Sequence, residues 1–164
     1  LYERALAAPM FDPRRFAYFN HLVTAEPDNL AYRRHLSHAA YLEGLKGDRV
    51  NPRFMEFAIA QCDAILAREP DDSNTLTIKG VALYNLTRYD QAIRVLREAL
   101  RSNPRNAQAQ FNLAFTYQMV DAAQAAGEFE KYLQMSEGMR DQERWRQYAR
   151  EWLETAARAG NNGP

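Results

Sequence analysis

One cysteine, Cys62, stands in the chain of 164 residues, so neither an internal disulfide nor a multi-cysteine metal site can be built from it. Net charge is also missing. The 21 basic and 21 acidic residues cancel, which leaves no overall field to draw the protein toward DNA, RNA or anionic lipid. Long apolar runs are absent too. The longest charge-free stretch, Asn106 to Val120, is 15 residues and carries Gln108, Gln110, Asn112 and Gln118; a membrane span needs about 20 predominantly apolar residues. No basic segment followed by an apolar one opens the chain, so no signal peptide is read, and a soluble domain, cytoplasmic or periplasmic, is expected. The opening Leu1 to Ala8 reads as a helix entered in mid-turn, as in a domain excised from a longer protein. Lysine is scarce: Lys46, Lys79 and Lys131 stand against 18 arginines, a bias that suits bidentate surface pairing.

Catalytic signatures are equally scarce. G-x-S-x-G, G-x4-G-K-[ST], G-x-G-x-x-G, H-E-x-x-H and C-x-x-C do not occur. Of the four serines, Ser73 and Ser102 sit where helix ends are expected and capping accounts for them. His35 and His38 are three apart on one helix, but a catalytic zinc wants a third protein ligand and the spacing selects neither His21 nor Glu43. Both histidines are read as structural or surface residues. Cys62 is read as a small buried packing residue. The expectation is a non-enzyme with no cofactor and no metal.

What the sequence does have is frequent helix punctuation. Asp12-Pro13 and Asn51-Pro52 place a capping side chain before a proline at the first helical position, where its missing N–H costs nothing. Asp28-Asn29, Asp72-Ser73, Asn103 and Asn106 supply further caps. Between these marks apolar residues recur at three and four. Tyr89, Ile93, Leu96 and Leu100 make one stripe; Trp145, Tyr148, Ala149, Trp152, Leu153 and Ala156 make another. Period-two alternation and Asn-Gly or Asp-Gly hairpin turns are missing. The pattern predicts nine helices, near 1–8, 13–25, 29–44, 51–68, 72–86, 89–102, 106–119, 121–136 and 139–159.

These helices repeat. Glu26-Pro27-Asp28-Asn29, Glu69-Pro70-Asp71-Asp72 and Asn103-Pro104-Arg105-Asn106 fall at comparable points, and Pro70 and Pro104 are 34 residues apart. At this period Ser73 to Asn106 resembles the tetratricopeptide (TPR) repeat family, whose pattern is W-x2-L-G-x2-Y, then A-x3-F, then P. Leu76 takes the Trp slot, Gly80 the Gly, Leu83 the Tyr, Ala92 and Leu96 the second-helix pair, and Pro104 the closing proline. Lys79 departs from the pattern, standing where Leu is expected. The next unit keeps Leu113-Ala114, Tyr117, Ala125 and Phe129 but has Glu137-Gly138 in place of the proline. The earlier unit keeps Leu36-Ser37, Ala40, Ala58 and Cys62, and carries a surplus at Gly44 to Pro52. That surplus is a longer turn or a binding loop whose polar contacts would be Lys46, Asp48 and Arg49.

The resemblance implies an all-α, right-handed α-solenoid of antiparallel helix pairs. It would contain about three TPR-like repeats (30–72, 73–106 and 107–136) with a partial repeat before them and a helix over 139–159 after them. Residues 1–159 would form one array, with 160–164 a tail or linker. Each pair is too small to bury its apolar face alone, so neighbours must stack. The last helix, whose wet face carries Asp141, Glu143, Arg144, Arg150, Glu151, Glu154 and Arg158, is read as a solubilising cap; the alternative is a docking helix for another subunit.

Charge placement bears on function. Ser73 to Thr87 holds one charged residue, Lys79, and Asn106 to Val120 holds none, whereas the second helices carry Arg88, Asp90, Arg94, Arg97, Glu98 and Arg101, and Asp121, Glu128, Glu130 and Lys131. In the family the first helices line a concave face that curves around a bound segment. At about 100° per residue, the face turned away from Leu76, Gly80 and Leu83 bears Asn74, Thr77, Val81, Tyr84 and Asn85. The same offset selects Gln108, Phe111, Phe115, Gln118 and Met119 in the next unit, and Ala31, Arg34, His38, Tyr41 and Leu42 in the earlier one. Rings would bury area and amides would hold a peptide backbone. The alternative is that the same rings pack against neighbouring repeats.

Some family members clamp a partner's C-terminal carboxylate with Lys, Asn and Arg; here Arg34, His38 and Asn112 make a partial imitation, and Ile78 and Val81 stand where polar contacts would help. The expected ligand is therefore an uncharged or aromatic-rich segment of a partner protein. The expected function is a non-catalytic scaffold or adaptor. The alternatives are a self-assembling homo-oligomeric scaffold and an interaction domain of a larger enzyme or secretion component.

Overall fold

The computed structural model describes residues 1–10, 12 and 14–161. Among these residues there are nine α-helices and no strands: α1 (Tyr2–Ala7), α2 (Arg14–Ala25), α3 (Leu30–Gly44), α4 (Pro52–Leu66), α5 (Ser73–Asn85), α6 (Tyr89–Ser102), α7 (Ala107–Tyr117), α8 (Ala122–Met135) and α9 (Glu143–Asn161), with a short 3-10 turn at Arg140–Gln142 before the last. Most boundaries fall within two residues of the sequence reading. The final helix differs. It starts at Glu143, because a 3-10 turn occupies Arg140–Gln142, and it runs to Asn161, past the predicted end at 159. Pro13 and residues 162–164 lie outside the described residues.

Short polar side chains start five of these helices. Asn29 accepts from Tyr32 N, Asn51 from Arg53 N, Asp72 from Asn74 N and Thr75 N, Asn106 from Ala109 N and Asp121 from Gln124 N. Each satisfies a backbone donor that the first turn leaves unpaired, worth about 0.5–2 kcal/mol per cap. Asp12 likewise accepts from Arg14 N at 2.9 Å. α6 has no side-chain cap; the chain enters it through Thr87 at φ 59°, a left-handed conformation that a β-branched residue seldom adopts.

Consecutive helices pack on each other throughout. In addition α3 packs on α5 and α5 on α7, while among the described residues no comparable contact joins α4 to α6 or α6 to α8. The first helix of each pair therefore lies on the inside of the curve and the second on the outside. This is an all-α solenoid of helix pairs. Its core is a series of small clusters along the array. Met55, Ile59, Ala82, Leu83 and Ala92 form one; Ile93, Leu96, Leu113, Tyr117 and Ala125 form the next.

Polar groups also cross the junctions. Asn106 Nδ2 donates to Ser73 Oγ at 2.8 Å and to Thr77 Oγ1 at 3.1 Å, and Ser73 Oγ donates to the Ala99 carbonyl at 2.8 Å. One buried network thus ties the start of α5, the end of α6 and the cap of α7. Lys79, the departure from the repeat pattern, reaches Asp63 on α4 at 2.6 Å.

Within the middle pair, α5 and α6 meet at Gly80. A Cβ built there would lie 2.6 Å from Leu96 Cγ and 2.8 Å from its Cδ2, and Leu96 is fully buried. Gly80→Ala should therefore force α5 and α6 apart at a cost of about 1–3 kcal/mol, read as a lower urea midpoint with unchanged slope; an unchanged midpoint would show the junction to be looser than described.

Candidate functional site

On the inner face a cavity of about 300 Å³ opens between α3, α5 and α7 and is walled on one side by the start of α9. It is lined by His38 and Tyr41 of α3, Thr77, Ile78 and Val81 of α5, Gln108, Phe111 and Asn112 of α7, and Gln142 and Trp145. Among the described residues no Asp, Glu, Lys or Arg lines it. Apolar walls with a few amides and one imidazole suit an uncharged guest whose backbone needs hydrogen-bond partners.

Burial sets the ionisation of the site. Desolvation, helped by the charge of Arg15 and by mutual repulsion with His35 when both protonate, holds the His38 imidazole below its ordinary range, so at neutral pH it offers one donor and one acceptor. Burial raises the Tyr41 hydroxyl, with a hydrogen bond to Asn85 acting against it, so that phenol stays neutral. Asn112 Nδ2 donates to the Gln108 carbonyl at 2.8 Å.

Of the residues that the sequence singles out, His38, Tyr41, Thr77, Val81, Gln108, Phe111 and Asn112 line this cavity. Two of these carry other duties. Thr77 is only 3% exposed, and its hydroxyl donates to the Ser73 carbonyl at 2.7 Å while accepting from Asn106, so it has no free polar atom for a ligand. Phe111 is 7% exposed and meets five rings at 5.0–5.9 Å, those of Phe115, Phe129, Tyr132, Trp145 and Tyr148. It is a core residue that shows one edge to the cavity.

The others lie elsewhere. Arg34 is paired with Glu69 and, at 2.8 Å, with Asp72, so it is not a groove cation. Asp72 in turn is held below its usual carboxylate value: burial alone would raise it, but the Arg34 guanidinium and the Thr75 N–H and hydroxyl outweigh that. Asn74 is exposed at the first turn of α5. Asn85 Nδ2 donates to the Val81 carbonyl at 2.8 Å. Tyr84 and Phe115 pack ring on ring at 5.3 Å, and Tyr148 of α9 covers Phe115 at 5.7 Å. The Tyr148 hydroxyl donates to Gln118 Oε1 at 3.1 Å.

Sequence reasoning missed Trp145 and Gln142. Trp145 belongs to a stripe read as one packing face, but the stripe divides. Ala149 is buried and Trp152 packs on Phe129 at 5.1 Å, whereas Trp145 remains 44% exposed beside the cavity. A stripe as wide as Trp145 to Ala156, on a helix with one neighbouring pair to cover, was the available signal. Elsewhere, Cys62 is fully buried and its thiol is pushed up to about 12, chiefly by desolvation, which leaves it a packing residue. In the long α3–α4 turn Lys46 pairs with Glu43, while Asp48 and Arg49 are exposed. Among the described residues no three His, Cys, Asp or Glu side chains are placed to share a metal, and no helix is long and apolar enough to cross a membrane.

Comparison with known proteins places this geometry. A sequence model described as TPR repeat matches residues 80–121. No curated protein matches the sequence. Solved structures do match in fold. The type III secretion translocator chaperone SycD of Yersinia enterocolitica superposes with a TM-score of 0.72 at 17% identity, over 81% of this chain and 95% of that one. MamA from AMB-1 gives 0.64 at 25% identity, over 76% and 69%. The TPR2B domain of yeast Sti1, in complex with pHsp70, gives 0.63 at 15% identity, over 77% and 98%. The chain thus carries a TPR repeat and has the fold of TPR-containing proteins.

The two neighbouring histidines should make the stability of the fold pH-dependent. His35, stacked on Phe19 at 4.8 Å, is also held below its ordinary value, by burial and then by Arg15. With both folded-state values depressed, the unfolded chain binds more protons below about pH 6.5. Their contribution is complete above that pH and is lost as pH falls through the folded values. Carboxylates titrate lower; Asp12, for one, is held at about 2 by the bonds from Arg14. Unfolding by urea should therefore show a midpoint that drops between pH 7.5 and 5.5, with the drop reduced in His35→Gln/His38→Gln. An equal drop in that variant would assign it to other groups.

Proposed function

We propose that this chain is a non-catalytic scaffold, one array over residues 1–159, that holds an uncharged, aromatic-containing segment of a partner protein against its inner face. The observation that carries this reading is the charge-free cavity bounded by α3, α5, α7 and Trp145. On a surface whose other helices are studded with arginine and carboxylate, a concave patch without a formal charge selects against charged segments through the desolvation cost it would impose on them. Trp145 and the edge of Phe111 supply area for one ring of the guest. Gln108, Asn112 and Gln142 supply amides for its backbone. Neighbours of the same fold support the reading in kind: one is a translocator chaperone and another was solved with pHsp70 bound.

The experiment is photo-crosslinking. Exposed Gln108 is replaced by benzoyl-phenylalanine, the protein is irradiated in lysate of its source, and the joined peptides are sequenced. The reading expects a recurrent segment of one partner, poor in Asp, Glu, Lys and Arg and containing an aromatic residue, whose yield falls at least tenfold on adding Trp145→Ala. Crosslinks to this chain alone would favour self-assembly instead, and acidic or basic segments at undiminished yield would retire the charge-free pocket as the site.

A further inference from the structure

The outer face carries a second concavity that this reading does not use. A cleft of about 550 Å³ runs between α6 and α8, with Leu100 and the buried Leu113 at its floor. Along one wall Arg94, Arg97 and Arg101 recur at i, i+3 and i+7, so they share one side of α6 over about 10 Å of helix.

Local neutralisation there is incomplete. Glu98 lies 3.4 Å from Arg101. Glu128 is taken twice, by Gln110 Nε2 at 2.7 Å and by Lys131 Nζ at 2.9 Å. Among the described residues no carboxylate pairs with Arg94 or Arg97. The Arg97 guanidinium instead rests over the Tyr117 ring, 5.6 Å from its centroid, which holds the head group in place. Two guanidinium groups without an ion-pair partner thus face a cleft whose lining carries four cations against two carboxylates, which leaves it cationic.

We propose that this outer cleft binds an acidic segment of a partner protein, its carboxylates on Arg94 and Arg97 and an intervening apolar side chain on the half-buried Leu100. The lining discriminates between anions. Glu98 and Glu128 sit in the same cleft and repel a continuous phosphate backbone, while a peptide can place its acids selectively and cover the half-buried Leu100. Guanidinium forks match carboxylates two bonds at a time. The site is separate from the inner cavity, so one array has an uncharged inner station and a cationic outer one.

The test is fluorescence anisotropy on the whole chain with a labelled Glu/Leu peptide, its Gln/Leu counterpart and a labelled oligouridylate. The Glu/Leu peptide should bind about tenfold or more tightly than the Gln/Leu peptide and weaken with added salt. Arg94→Gln/Arg97→Gln, both exposed and checked for helicity by circular dichroism, should lose that preference, and Trp145→Ala should keep it. Absence of Glu/Leu binding, equal binding of the two peptides, or an undiminished double variant would overturn the proposal. Tighter binding of the oligouridylate than of the Glu/Leu peptide would overturn it in favour of a nucleic-acid surface.

Discussion

Phe111 is where the array and its last helix are joined. Its ring touches α8 through Phe129 and Tyr132 and α9 through Trp145 and Tyr148, and one edge still reaches the inner cavity. Aromatic pairs of this kind add about 0.5–1.5 kcal/mol each beyond the area they bury. Because the same ring fixes α9 and lines the cavity, the position of Trp145, and with it the wall of the site, depends on this packing. A helix that only sealed the end of the array would not need aromatic residues on its inner edge. Here α9 does both jobs: Ala149 and Trp152 close the core, and Trp145 remains half in solvent at the rim.

The two faces divide by charge for a structural reason. Inner helices touch their neighbours on both sides, so a charged side chain there loses water and needs a partner at a junction, as Lys79 has in Asp63 and Arg34 in Asp72. Outer helices are in contact only with their own pair and the next inner helix, and they carry the arginines and carboxylates. Exposed pairs such as Arg101 with Glu98 contribute little to stability. The buried Asn106 network matters more, because removing one member leaves others unsatisfied.

The helices and their order were legible in the sequence because local signals set them. Asn51-Pro52 and Asp72-Ser73 cap where they stand, and Gly80 marks the close helix contact that the repeat pattern requires. Parts of the site were not legible, for an equally physical reason. Arg34 was read as a groove cation, but Glu69 and Asp72 reach it from the next junction, 35 and 38 residues away. Thr77 was read as a polar contact, yet its hydroxyl is consumed by Ser73 and Asn106. Tyr84 and Phe115 lie on the expected face, and only the path of α9 determines that Tyr148 covers Phe115 while Trp145 stays open. Facing angles along one helix predict direction; they do not predict which neighbour arrives first.

In the function we propose, a partner segment seats against Trp145 on the inner face. The most direct measurement is acrylamide quenching of Trp145 fluorescence in a Trp152→Phe background, with and without the bound segment. Seating in the cavity predicts a blue-shifted emission and a quenching constant reduced severalfold at saturation. Unchanged emission and quenching at saturating partner would place the segment elsewhere and contradict the account.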